Sequence, residues 1–420
     1  MVEGTPKPDG YIAVRRAELA DGIAAADGLP AGEVGAFGDV LKLLDALLQY
    51  EAHQQLEALK ALYDPLDPDA PPTRRNVTPA ALDAFEAAFV EALTRANFIE
   101  IDHDTVQTRE ATKLLTGLSI KPSHAGIRRI RFFARGVRPE KVTLRTWAGI
   151  GTREIEAEMM TDVVVFVGFK AEAEVKRADK AVLAKMRRGV RPGAALIKHF
   201  RNVATAELVT LHPGARPSMR PRDQVFLAAP AIVAGAPVLL NLWPALTVIF
   251  AVLAAYFGAR GVIEQSELRR ALAAASGLIA VGAFVMRQRL KYETQTLRYQ
   301  KQLADTVYFR NLANNTGVID LVVGAGEEQD VKEALIAYWA LRRGGGSLTK
   351  DEIDAAAEAL LRERFSIEID FEVSDALAKL ERLELISRDD DRVTALPPNE
   401  ALAKLDARWD GLFKFSGSPG

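Results

Sequence analysis

The chain has 420 residues with a net charge of −2 and no cysteine, which excludes disulfides, iron–sulfur clusters and thiolate zinc sites. That near-zero charge is unevenly spread: −11 over residues 1–108, +14 over 109–222, +3 over 223–326 and −8 over 327–420. The length suits two or three structural units, and no apolar signal segment follows a basic start.

An acidic helical region is expected over 1–97. Residues 1–35 are polar and Gly/Pro-punctuated, and Val40, Leu44, Leu47, Leu48, Leu56, Leu59 and Tyr63 then recur at helical spacing. The Pro/Asp-rich stretch 64–72 ends that helix, and Thr78-Pro79 opens another, with Leu82, Phe85, Phe89, Leu93 and Ala96 inward. A basic α+β domain is expected over 98–222. Its strands read as Ile127–Ala134, Arg153–Met160 and Asp162–Phe169.

Between Asp223 and Arg260 there is no charged residue, and a second uncharged run covers Ala271–Met286. A membrane span needs roughly 20 apolar residues. The pattern predicts a two-helix transmembrane hairpin over 223–290, with spans near Pro237–Gly258 and Arg270–Arg289. Arg216, Arg220 and Arg222 precede it; Arg287, Arg289 and Lys291 follow. By the positive-inside rule both flanks face the cytoplasm, as in a multi-pass protein of a bacterial inner membrane, and these six side chains are candidate contacts for anionic lipid headgroups. Three spans, with Phe226–Asn241 and Leu242–Ala259 separate, are the alternative.

A juxtamembrane helix and joint are expected over 291–326. Asn311, Asn314, Asn315 and Gly317 lie at that joint, an Asn-Asn-x-Gly turn. With Glu328 they form a candidate ligand site, weighed against a purely structural corner. Gly324-Ala325-Gly326 reads as a turn. Residues 327–420 read as an acidic winged-helix-like domain: helices around Val331–Tyr338, from the Thr349-x-x-Glu352 capping box, and around Val373–Leu383, then a hairpin at 386–394. The third helix carries Glu372, Asp375, Glu381 and Glu384, so nucleic acid is not an expected partner.

The five histidines have no metal-ligand spacing, no hydrolase or kinase motif is present, and no cofactor is expected. The leading reading is a membrane-anchored scaffold or interaction protein with the lipid bilayer, a protein partner or a second copy as partners. A membrane-surface enzyme or ligand sensor with a pocket between the basic domain and residues 311–333 is the alternative. A channel-like oligomer built on Ala251, Ala255, Gly258, Ala275, Gly277 and Gly282 is the third.

Taken together, Arg131-Phe132-Phe133-Ala134-Arg135-Gly136, Ile197 to Val203, Glu207-Leu208, Met219-Arg220, Tyr308 to Gly317, Glu327-Glu328-Gln329 and Trp409-Asp410 resemble the transmembrane protein 143 family. The conserved part of that family is a domain of unknown function. The resemblance covers roughly residues 120–415 and implies two membrane spans but no activity or catalytic residue. Val209 departs from it, standing where the family often has an acidic residue.

Overall fold

The computed structural model describes residues 10–24, 29, 32–71, 78–102, 119–121, 124–145, 152–174, 191–218, 265–343 and 345–413, with a few positions between 246 and 258. In chain order the first helices are α1 (Arg16–Ala24), α2 (Val34–Tyr63) and α3 (Pro79–Arg95). Strands β1 (Ile99–Ile101), β2 (Ser119–Lys121), β3 (Ile127–Arg145), β4 (Thr152–Phe169), β5 (Ala195–Ala204) and β6 (Arg216–Ser218) follow. Helix α4 (Gln265–Arg310) leads to β7 (Asn311–Asn314) and α5 (Thr316–Arg343). The chain closes with β8 (Leu348–Thr349), α6 (Lys350–Phe365), α7 (Val373–Arg382), the hairpin β9 (Ile386–Asp389) and β10 (Arg392–Ala395), and α8 (Pro398–Asp410).

The chain divides into two units. One comprises residues 1–106, 124–208 and 310–420; the other comprises 107–123 and 209–309. The first unit holds an antiparallel sheet in the order β1-β3-β4-β5-β7 and a small sheet β8-β10-β9. Helix α3 packs where its sequence placed it: Thr78 Oγ1 accepts from Ala81 N at 3.1 Å, Pro79 fills the first turn, and Leu82, Phe85, Phe89 and Leu93 are buried. These side chains join Tyr63, Phe166 and Ile197 in one core, and Val318, Ile319, Val322 and Val323 of α5 close it. The second half of α5, with Tyr338 and Trp339 fully buried, centres another core shared by α1, the first half of α2, α6, α7 and α8.

Two elements run on where the sequence suggested breaks. Strand β4 is continuous through Thr161-Asp162, pairing with β3 on one side and β5 on the other. Helix α5 runs from Thr316 to Arg343 through Gly324 and Gly326. The glycines read as a turn lie inside the helix; an added Cβ at Gly326 would make only ordinary contact, 3.7 Å from the α3 C-terminal backbone at Arg95 and Ala96, and one at Gly324 would meet nothing within 4 Å.

The second unit contains the β2–β6 pair, in the register Lys121↔Arg216, and most of α4. This unit corrects the membrane reading. Among the described residues no helix is long and apolar enough to cross a membrane. Ala271–Met286 lies inside the 46-residue helix α4. Its uncharged stretch is 16 residues, about 24 Å of helix against a hydrocarbon core of about 30 Å, and it gives way to Arg287, Arg289 and Lys291. Most of the other expected span, Pro237–Gly258, lies outside the described residues. The transmembrane hairpin, the integral membrane protein and the multi-pass inner-membrane location are therefore not what this structure supports; the described fold is α+β.

Candidate functional site

The corner between β7 and α5 is built by Asn315, which takes a left-handed backbone (φ 51°) that asparagine tolerates better than most residues. Its backbone N–H donates to Ile197 O at 2.8 Å, and its Nδ2 donates to Asp69 Oδ2 at 2.7 Å. Thr316 Oγ1 reaches Asp67 Oδ2 at 3.3 Å. Asn315 is 7% exposed, so its polar atoms are spent on tying the β7–α5 corner to the chain after α2. Asn314 is exposed and pairs with Lys198 along β5, whereas the side-chain oxygen of Asn311 is buried without a partner among the described residues. Gly317 opens α5 with only Ala313 Cβ within reach of an added Cβ. Glu328 lies about three turns further along α5, paired with Lys332 at 2.9 Å. The structure thus gathers Asn314, Asn315 and Gly317 at one corner and places Glu328 elsewhere. Of the basic candidates, Arg287, Arg289 and Lys291 are exposed on α4, with Arg289 bonded to Glu293 at 3.0 Å. Arg216 contributes backbone pairing to β6, and Arg220 and Arg222 lie outside the described residues.

Glu328 borders a buried polar spine. Gln329, Asp330, Lys332 and Glu333 of α5 are almost fully buried. The segment before α1 covers them. Ile12 N donates to Gln329 Oε1 at 3.0 Å, and Ile12 O accepts from Gln329 Nε2 at 3.2 Å and Lys332 Nζ at 3.0 Å. Asn97 Nδ2 bridges Gly10 O and Glu333 Oε1 at 2.8 and 3.1 Å. Asp330, Glu333 and Asp375 bring three carboxylate oxygens close enough together to hold a cation. The Lys379 ammonium already occupies that position, 2.7 Å from Asp330, 2.6 Å from Glu333 and 2.6 Å from Asp375. Arg95 adds a second positive charge at Asp330, at 2.5 Å. Three carboxylates against two cations leave one negative charge in excess. Accordingly, burial pushes the Glu333 carboxyl up to about 7, against the pull of Lys379. Burial alone would lower Lys379, but Glu333 and Asp330 outweigh it and hold the ammonium well above its ordinary value.

On the sheet, Asp162 accepts from Arg135 Nε and Nη2 at 3.0 and 2.9 Å, His199 Nε2 at 3.0 Å and Arg201 Nε at 3.2 Å. Burial would raise this carboxyl; the His199 hydrogen bond and the Arg135 charge overcome that and hold it well below the carboxylate range. Arg135 lies between the rings of Tyr11 and Phe98, 4.4 and 4.6 Å from their centroids. His199 Nδ1 is buried with no partner among the described residues, so no hydroxyl nucleophile stands in line with the Asp–His pair.

A cleft of about 540 Å³ opens where the first turns of α6 and α7 meet. That volume is typical of ligand sites. The capping box fixes one wall: Glu352 N donates to Thr349 Oγ1 at 3.3 Å and Thr349 N donates to Glu352 Oε2 at 2.8 Å. The extended link before α7 fixes the other. Ile369 and Phe371 turn into the core, which leaves Asp370 and Glu372 on the opposite side of the alternation. The carboxylates Asp351, Asp354, Asp370 and Glu372 then line the cleft together with Lys350, whose Nζ lies 3.3 Å from Ser374 Oγ. Burial, with Glu358, Asp370 and Asp351 nearby, raises the Asp354 carboxyl above its ordinary value. Its Oδ1 is buried without a hydrogen-bond partner among the described residues. Phe371 and Val373 supply apolar wall, and Ile99 stands on the rim 59% exposed. Sequence reading noted the acidity of this region but not the cleft, whose lining comes from four separate segments. The alternation Ile369-Asp370-Phe371-Glu372 was the available signal.

Residues 160–317 match the family model described as "Protein of unknown function (DUF3754)", so this part of the chain is similar to a domain of unknown function. The matched stretch takes in most of β4, together with β5, α4, β7 and the corner at Asn315, and ends before the cleft. No solved structure matches the chain.

Proposed function

We propose that this chain is a protein-interaction module whose acidic cleft receives a cationic side chain, a lysine or arginine, from a partner protein. The observation that carries this reading is Asp354: a carboxyl raised by burial and by surrounding carboxylates, with one oxygen buried and unsatisfied among the described residues. An ammonium or guanidinium in the cleft relieves the mutual repulsion of these carboxylates. Ile99, exposed on the rim, suits the aliphatic stem of such a side chain. Because the Asp354 carboxyl is raised, binding strengthens as pH rises and the group ionises. Kinship with the transmembrane protein 143 family rests on the sequence motifs alone, and a bacterial source on the Ala-rich, Arg-over-Lys composition.

Calorimetric titration of the full chain with a hexa-arginine peptide tests the proposal. The expected result is saturable binding that weakens about tenfold or more in Asp354→Asn/Asp370→Asn. Equal affinity in wild type and variant would place the basic ligand elsewhere and overturn the reading.

A further inference from the structure

Strands β3 and β4 pair with each other beyond the reach of either neighbour. β1 faces β3 only from Ile99↔Ala134 to Ile101↔Phe132, and β5 faces β4 only from Met159↔Ala204 to Gly168↔Ala195. From Pro139↔Glu158 out to Arg145↔Thr152 the two strands form a ribbon, with no third strand beside it among the described residues. Gly136 sits at its root with φ 67°, where an added Cβ would come within 2.5 Å of Thr161 Oγ1. On the β5 side the chain turns off into a 3-10 helix at Thr205–Leu211, and Thr205 Oγ1 donates to Glu158 O at 3.2 Å. Beyond that contact the outer edge of β4, residues 152–157, carries backbone groups that no described strand takes up.

A two-stranded ribbon is marginal in water, and an edge of this kind is a template for a third strand. The side chains state what that strand must carry. Glu154, Glu156 and Glu158 alternate along β4 and so share one face. Glu154 and Glu156 are exposed, while Ile155 and Ala157 on the other face are half-buried. A second copy of this chain fits badly. Antiparallel pairing of two β4 edges would set glutamate columns against each other, and like charges directly opposite are destabilising. The β3 edge carries Pro139, which has no N–H to give. We propose that the outer edge of β4 accepts, by strand addition, an extended basic segment of another protein. Its lysines or arginines would alternate beside Glu154 and Glu156, and its apolar residues would lie beside Ile155 and Ala157. This surface is separate from the acidic cleft and does not depend on it.

The test uses the full chain and a peptide of alternating lysine with valine or threonine, read by hydrogen–deuterium exchange. The expected result is slowed exchange of amides within 152–157. Methylating alternate backbone nitrogens of the peptide should abolish it, and Glu154→Lys/Glu156→Lys should weaken binding about tenfold or more. Asp354→Asn should leave this binding unchanged, which separates it from the cleft. A peptide with glutamate in place of lysine should bind the charge-reversed variant, showing that the variant's ribbon is intact. Undiminished binding of the methylated peptide, or no protection over 152–157, would overturn the proposal. The glutamates would then serve only to keep the edge from pairing.

Discussion

The polar spine along α5 and the cleft at the start of α6 and α7 are both rich in carboxylates, yet they are built on opposite terms. In the spine the buried carboxylates meet cations of the same chain: Asp330 meets Arg95 and Glu333 meets Lys379, as Asp162 on the sheet meets Arg135. In the cleft, Asp354 is crowded by other carboxylates and keeps one buried oxygen without a partner among the described residues. Charge that is paired and buried holds segments of the chain together. Charge crowded by like charge, as around Asp354, is what the proposed partner's cation would relieve. The difference teaches that acidity alone does not mark a site, and that the local balance of charge does.

The largest expected effect lies in the spine. Lys379→Met leaves Asp330 and Glu333 buried without their shared ammonium, and breaking a buried ion pair costs about 3–5 kcal/mol. Urea unfolding should show that loss; a loss under about 1 kcal/mol would mean that the paired charges do not hold the fold. Asp162→Asn should cost a comparable amount by leaving Arg135 buried and uncompensated.

The pH dependence of stability sharpens the contrast. Glu333 has a folded pKa raised from 4.5 to about 7, so the folded state binds the extra proton in that window. Its contribution is present below about 4.5 and is lost as pH rises to about 7. Asp162 acts with the opposite sign: its contribution is present above the ordinary carboxylate value and is lost as pH falls below it. Denaturation midpoints measured across pH 3–8 should fall on the alkaline side in wild type. They should flatten there in Glu333→Gln. An unchanged slope in that variant would remove Glu333 as the cause.

Smaller effects belong to the cleft. Thr349→Ala removes the cap of α6 and should cost about 1 kcal/mol. Asp354→Asn should leave stability unchanged or raise it, because it removes repulsion and breaks no ion pair. A clear destabilisation would move Asp354 into the same class as Asp162.

Local patterns were well written in the sequence where one segment decides the outcome. Thr78-Pro79 and the stripe from Leu82 to Leu93 specify α3, and Thr349 with Glu352 specifies the start of α6. What escaped depends on distant partners. Gln329, Asp330, Lys332 and Glu333 look like a solvated helix face, and are buried because Ile12, Arg95, Asn97 and Lys379 satisfy them. Thr161-Asp162 looks like a break in a strand, and Asp162 stays within β4 because Arg135 and His199 meet it there. The uncharged runs 224–259 and 271–286 invited a lipid environment. Length decides the second run, since helix α4 continues past it into Arg287 and Arg289.

The carboxyl pKa of Asp354, followed by carbon-detected NMR in the full chain with and without saturating tetra-lysine peptide, tests the cleft most directly. The expected result is a value above the ordinary aspartate range in the unliganded protein that falls when the peptide binds. An ordinary pKa that the peptide leaves unmoved would contradict the reading of the cleft as a site for a partner's cation.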